Sequence, residues 1–205
     1  GSEMCIRDRL WLMLRDLRAN GVRQVTGDLV LDRSHFVQPD LPAFNDDGGA
    51  ANKPYLVTPD SLLVNLKALR FIARAENGKV TVAAEPPLAG LTLDNQVKVL
   101  KAGKCPAWPD VRYNPVKEFD GTRVIVTGQL TDGCSAQTYL SLLDHPAYAA
   151  GAVRAIFSEL GGSIMGKDRQ AEVPKSATLL ARALLPDLVE IIRDINTVSY
   201  THLTL

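Results

Sequence analysis

The sequence predicts an α+β fold in which a small all-β unit is nested inside a mixed helix-and-strand unit. Three observations predict it. Apolar residues recur at helical spacing near Leu10–Leu17 and again near Ala149–Leu160, so a helix lies on each flank. Between them, from Lys79 onward, the hydrophobic period becomes two. Gly, Pro and Asp break that middle stretch into short strands. The order of helix and strand, then β block, then helix is that of a β module at 73–136 inserted into an α+β unit formed by 10–72 and 137–172.

The first helix is RLWLMLRDLRANGV, with Leu10, Met13, Leu14 and Leu17 as its apolar stripe and Asn20-Gly21 as a left-handed stop. A strand follows in VTGDLVLD, where Val25, Leu29 and Leu31 alternate with polar neighbours. Residues 38–54, QPDLPAFNDDGGAANKP, concentrate turn formers and predict a long loop, of the kind that is functional or disordered in compact domains. TPDSLLVNLKALRF fits two periods. Leu62, Leu63, Leu66 and Leu69 suit a helix, whereas Val64, Leu66 and Ala68 suit a strand, and a short turn leading into a strand is the preferred reading. KVTVAAEP, GLTLDNQVKVLKAG and TRVIVTGQL are short strands. YAAGAVRAIFSELGG is a second helix with Ala149, Ala152, Val153, Ile156 and Leu160 inward, stopped by Gly161-Gly162. A last helix opens at Pro186-Asp187, carries Leu188, Ile191, Ile192 and Ile195 on one stripe, and loses its pattern from Thr197. No internal repeat is present.

Composition narrows the function classes. In 205 residues, 46% are hydrophobic, enough for a sizeable core. Lys and Arg number 23, as do Asp and Glu, so no overall field draws the chain to nucleic acid or an anionic membrane. No window reaches the roughly 20 apolar residues of a bilayer span, and no signal-peptide pattern opens the sequence. Cys5, Cys105 and Cys134 show no Cys-x-x-Cys spacing and no accompanying His pair, which argues against zinc. Cys105 and Cys134 bracket extended chain, loop and strand, and could either meet as a bridge or remain two buried thiols.

GGSIMGKD, Gly161–Asp168, departs from a phosphate-binding loop because Asp168 stands at the hydroxyl position and a helix, not a strand, precedes it; a helix stop leading into a strand is the better reading. His35, His145 and His202 stand apart, with no His-Glu-x-x-His, so no metal and no cofactor is expected. Asp46 and Asp47, with Asp40, could form a carboxylate cluster in the long loop or simply be solvated. The chain holds no Ser-x-x-Lys, Gly-x-Ser-x-Gly, Ser-x-Asn or Lys-Thr-Gly, so no serine nucleophile site is assembled from these residues.

Four strings in series, LRANGVRQVTGDLVLDRSHF, KPYLVTPDSLLVNLKALRF, HPAYAAGAVRAIFSELGGSI and LLPDLVEIIRDIN, resemble the class C low-molecular-mass penicillin-binding proteins over Leu10 to Asn196. These are serine-type D-Ala-D-Ala carboxypeptidases and endopeptidases of periplasmic peptidoglycan. The resemblance implies a long insertion, one domain nested in another, placed between the Ser-x-x-Lys and Ser-x-Asn motifs of a transpeptidase/β-lactamase-like catalytic domain. This chain would then be that insertion, with 173–196 starting the return to a missing catalytic domain. Ser199 falls near the family's second serine, but Thr197 and Thr201 replace its Lys and Asn, and residues 1–9 and 197–205 read as foreign, adapter-like sequence, which would make Cys5 an artefact. The resemblance further implies that Asp46, with Asp47 beside it, recognises the free amine of a stem peptide's diamino acid through a charge-assisted hydrogen bond. Its neighbouring loop, GGAANKP, is short of the aromatic residues such a pocket would use. The resemblance also implies that Cys105 and Cys134 pair as a disulfide in an exported protein. A different class of function, a non-catalytic module that binds peptidoglycan or a protein, is the alternative. Its mark would be a cleft around Asp46 that survives without the catalytic domain.

Overall fold

In the computed structural model the described residues are 2–35, 37, 52–101, 103–184, 189 and 193. The chain opens with helix α1 (Ser2–Ala19), which starts well ahead of the predicted stripe. Leu14 is buried and packs with Ile156 and Phe157, flanked by Leu10 and Leu17. Asn20 and Gly21 end the helix as the sequence predicts: Gly21 has φ +90°, and the Val22 N–H closes on the Leu17 carbonyl at 3.3 Å.

The single strand expected across 25–31 is instead two, β1 (Gln24–Val25) and β2 (Leu29–Leu31). They pair in parallel with two short strands near the C-terminal end of the described chain, Ser163–Ile164 and Asp168–Gln170. The break falls where two backbones nearly touch. A Cβ on Gly166 would lie 2.3 Å from the Gly27 carbonyl oxygen, and the Asp28 carboxylate accepts the Lys167 N–H at 2.9 Å. The GGSIMGKD stretch is thus strand, turn and strand after a helix stop, as its rejection as a phosphate loop requires.

Asp60 starts the turn expected ahead of the next strand: its Oδ1 accepts the Leu62 N–H at 2.8 Å and its carbonyl the Leu63 N–H at 3.1 Å. Asn65, Leu66 and Lys67 then take φ of +51°, +48° and +50°, so the helical spacing of the leucines is interrupted and β3 (Leu69–Glu76) follows. Next come β4 (Lys79–Glu85), β5 (Leu91–Asn95), β6 (Lys98–Leu100), β7 (Val111–Glu118), β8 (Gly121–Thr131) and β9 (Ser135–Leu140).

They form two sheets. One is antiparallel, in the order β4-β3-β9. The other centres on β8, with β7 antiparallel on one side and β5 and then β6 parallel on the other. Leu69, Phe71, Ala73 and Ala75 on β3 face inward and alternate with Arg70, Ile72, Arg74 and Glu76, while Val124 and Val126 on β8 complete the interior. The rings of Phe71 and Tyr113 join the sheets, with centroids 4.7 Å apart. The strands reach beyond the predicted limits of 73 and 136. Arg70 pairs with Tyr139 in the ladder, and such polar outward positions hide strand ends from a hydrophobic reading.

Helix α2 (His145–Glu159) is capped by Asp144, whose carboxylate accepts the Ala147 N–H at 2.8 Å, with Pro146 in its first turn. Its inward face is broader than the predicted stripe. Tyr148 and Phe157 are buried along with Ala149, Ala150, Gly151, Ala152 and Ile156, whereas Val153 and Leu160 are only partly buried. Small residues let the helix sit against the β4–β5 connection: a Cβ on Gly151 would lie 2.9 Å from the Ala89 carbonyl oxygen, and the Ala89 N–H donates to the Gly151 carbonyl at 3.0 Å. Gly161, at φ +76°, ends α2, and β10 (Ser163–Ile164) and β11 (Asp168–Gln170) close the flank. The chain then runs back along α1, where Arg9 donates to the Leu184 carbonyl and Asn20 to that of Leu180. The stripe of Leu188, Ile191, Ile192 and Ile195 lies outside the described residues. Among those residues no helix is long and apolar enough to cross a membrane.

Candidate functional site

Two polar constellations stand out, and they differ in what they can do. The first centres on Asp60, whose side chain is 1% exposed. Its Oδ2 accepts both Nε, at 3.0 Å, and Nη2 of Arg33, which leaves β2, and lies 3.9 Å from Nδ1 of His145 at the start of α2. The His145 Nε2 faces the Thr58 carbonyl at 3.1 Å; a carbonyl only accepts, so the proton sits on Nε2. Lys67 donates to the Leu143 carbonyl at 2.8 Å, and Lys117 to Asp144 at 3.0 Å.

Burial pushes the Asp60 carboxyl up, but the Arg33 hydrogen bond, the Leu62 N–H and the charges of His145 and Arg33 outweigh it and hold the group low. Burial, then the Lys67 charge, pushes the His145 imidazole down. Burial also lowers the Lys67 ammonium, against the pull of Asp144 and Asp60. The Arg33–Asp60, His145–Thr58 and Lys67–Leu143 bonds each join separate chain segments, so the network is a clasp between β2, the 58–68 segment and the start of α2.

The clasp makes stability pH-dependent. His145 and Asp60 both have folded pKa values below their ordinary ones, so the unfolded chain binds more protons and stability falls as pH drops. The His145 share is lost as pH falls below 6.5, and the Asp60 share below 3.8. Denaturant midpoints that decline from pH 8 to pH 5, with the decline flattened in His145→Gln, are the expected result; a pH-independent midpoint over that range contradicts it.

The second constellation is a cleft of about 1060 Å³ over the outer face of β4-β3-β9. Strand register places Glu85, Arg70 and Tyr139 side by side, one on each strand. Arg70 donates from Nε to Glu85 at 3.0 Å; that bond first, and the Tyr139 side chain as well, favours its charged form. Lys53, Pro54 and Tyr55 form one wall and Pro86, Pro87 and Leu66 another, with Asp8 of α1 at the rim. Tyr55 and Tyr139 are 65% and 50% exposed, large aromatic surfaces left open to solvent. The wall at Leu66 belongs to the left-handed turn, a conformation that costs an ordinary residue roughly 1–2 kcal/mol. It is held by Asn65, which donates to the Ala68 carbonyl at 3.1 Å and to the Tyr148 hydroxyl at 3.2 Å.

Asp46 and Asp47, the predicted amine-recognising pair, lie outside the described residues, as do Asp40 and His202. The described chain resumes at Asn52, whose carbonyl accepts the Ser141 N–H at 2.6 Å, and passes directly into the Lys53–Tyr55 wall. Cys105 and Cys134 form a disulfide, with sulfurs 2.00 Å and Cα atoms 5.5 Å apart, at the other end of the β unit. His145 belongs to the clasp. Among the described residues no group of three or more His, Cys, Asp or Glu side chains could hold a metal. Sequence reasoning missed the Glu85–Arg70–Tyr139 row. Its only signal was the outward alternation of charged residues in LRFIARAE, which gives no information on which strands lie alongside.

Comparison with known proteins adds a family. A sequence profile of the D-Ala-D-Ala carboxypeptidase 3 (S13) family matches residues 5–202, reaching into both terminal stretches that the sequence reading set apart. The chain is 27% identical over 209 residues to a D-alanyl-D-alanine carboxypeptidase of Haemophilus influenzae, covering 93% of this chain and 40% of that protein. It therefore spans about two fifths of the length of that relative. The crystal structure of penicillin binding protein 4 from the same organism superposes with a TM-score of 0.57 at 20% identity, over 85% of this chain and 38% of that one, and so shares the fold.

Proposed function

Because the chain belongs to the D-Ala-D-Ala carboxypeptidase 3 (S13) family, we propose that it is part of a periplasmic serine-type D-Ala-D-Ala carboxypeptidase or endopeptidase acting on peptidoglycan stem peptides. The observation that carries this reading is the family match over almost the whole chain. In the whole enzyme an activated serine would attack the carbonyl of the penultimate D-Ala, release the terminal residue, and pass the acyl group to water. None of the three motifs for that chemistry occurs in these 205 residues, so the chain by itself is inactive.

Its own contribution would be accessory. The β unit is the nested domain of the insertion, and the segment after β11 leads back to the catalytic domain. Asp46, with Asp47, offers a carboxylate to the free amine of the stem peptide. The Cys105–Cys134 bridge suits an oxidising compartment and supports export. A second reading, a peptidoglycan-binding module without catalysis, is favoured by the solvent-open cleft with its two exposed tyrosines.

Acylation separates the enzymatic claim from error. A fluorescent penicillin is expected to leave this chain unlabelled while labelling a version extended through an upstream Ser-x-x-Lys and a downstream Ser-x-Asn. Covalent labelling of the 205-residue chain would overturn its assignment as inactive alone. An extended reading frame without those motifs would overturn the parent enzyme and shift the assignment to the binding module.

A further inference from the structure

We propose that the cleft over β4-β3-β9 binds the glycan backbone of peptidoglycan through an N-acetylhexosamine ring; this rests on the peptidoglycan reading above and extends it from the peptide to the sugar. The argument begins with charge. The cleft's charged side chains are Lys53 and Arg70 against Asp8 and Glu85, two of each sign, and Arg70 and Glu85 are tied to each other. A charge-balanced lining, with one of its two opposite-charge sets tied together, offers no net attraction to phosphate, nucleic acid or a free ammonium, and suits an uncharged polar ligand.

The aromatic surfaces narrow the choice. Tyr55 and Tyr139 expose much of their area within the same cleft, and neither is needed to fill the core. A pyranose ring has an apolar face of C–H bonds and a rim of hydroxyls, matching a surface that combines aromatic area with a few fixed donors and acceptors. The Glu85–Arg70 pair supplies those polar groups in a fixed plane: the guanidinium remains a multiple donor, and the carboxylate has acceptor capacity beyond the bond to Arg70. Strand register holds Arg70 directly beside Tyr139 and Glu85 one strand farther, so a ring stacked on the tyrosine lies next to Arg70 with Glu85 beyond it on the same face. Pro86 and Pro87 form an apolar wall with no N–H to satisfy, a seat for the N-acetyl methyl group. Gln137, next along the outer face of β9, extends the polar floor towards a second ring.

Titration of the intact, disulfide-bonded chain with chitotriose, followed by nitrogen-edited NMR, tests this. Saturable shifts of the Arg70 Nε–H, Gln137 and Tyr139 signals are expected. Tyr55→Ala should weaken the affinity by about tenfold or more with unchanged unfolding, since Tyr55 stands outside the strands. Tyr139→Ala should do the same, and Tyr55→Ala keeps the test decisive if that strand variant misfolds. Absence of saturable shifts, equal binding of maltotriose, or affinity unaffected by Tyr55→Ala would each overturn the proposal. So would shifts of these signals produced by a sugar-free stem peptide alone. The penicillin experiment leaves these outcomes untouched, so failure of the glycan site and failure of the peptidase reading remain distinguishable.

Discussion

Replacing Phe71 with Ala is expected to destabilise the chain by about 4 kcal/mol, lowering its melting temperature by about 12 °C. Phe71 is wholly buried, on the inward face of β3, and its ring meets Tyr113 of β7 across the gap between the two sheets. It belongs to the cluster that also contains Leu69, Val124, Val126 and Tyr148, so its loss would leave a void bounded by both sheets and α2. Tyr113 adds to the cost. Its hydroxyl is buried without a described hydrogen-bond partner and burial pushes its pKa up to about 12, so the ring depends on packing to stay in place. The effect should reach the cleft, because Arg70, beside Phe71 in sequence, stands on the opposite face of the same strand. Urea denaturation of the purified variant checks the magnitude; a loss below about 1 kcal/mol would show that the sheets are not joined through this ring.

Breaking the Cys105–Cys134 bridge is the second large effect. The two residues are 29 apart in sequence, and on the chain-entropy account closing a loop of that size contributes about 3.5 kcal/mol. The bridge ties the loop leading to β7 to the turn after β8, within reach of the small cluster of Ala73, Ala75, Leu130 and Ala136. The double variant Cys105→Ala, Cys134→Ala and the wild-type chain in reducing buffer should both unfold at about 10 °C below the oxidised chain. A thiol assay that finds Cys105 and Cys134 free in the oxidised chain, or an unfolding curve indifferent to reductant, would contradict the bridge. Folding that requires oxidation would also agree with export, since cytosolic thiols are kept reduced.

What the sequence made legible was local. Gly21 and Gly161 marked the helix ends because only a left-handed residue closes those turns cheaply. The alternation in TRVIVTGQL marked β8 because that strand is buried at the centre of its sheet. The polar strands were harder. In β7, VRYNPVKE carries a single buried residue, Tyr113, and its pairing with β8 is what makes it a strand. The left-handed turn at Asn65–Lys67 was equally hidden, since Leu and Lys have no intrinsic preference for it; it is held by hydrogen bonds to Ala68 and Tyr148.

The same division separates the candidate sites. The family resemblance could be read from the order of strings along the chain, and it is the resemblance that implied a Cys105–Cys134 pair. The clasp could not, because Arg33, Asp60 and His145 come from three distant segments, and the Asp60 and His145 pKa values are lowered only when those segments pack together. Nor could the cleft, because Glu85, Arg70 and Tyr139 become neighbours through strand register. By itself the sequence determined the helix stripes, the helix stops and the alternating buried strands, since each depends on side chains a few residues apart. Only the tertiary structure decided where the expected first strand divides, which strands pair, and which polar groups share one surface. Those depend on backbone approaches such as Gly27 to Gly166, between residues far apart along the chain.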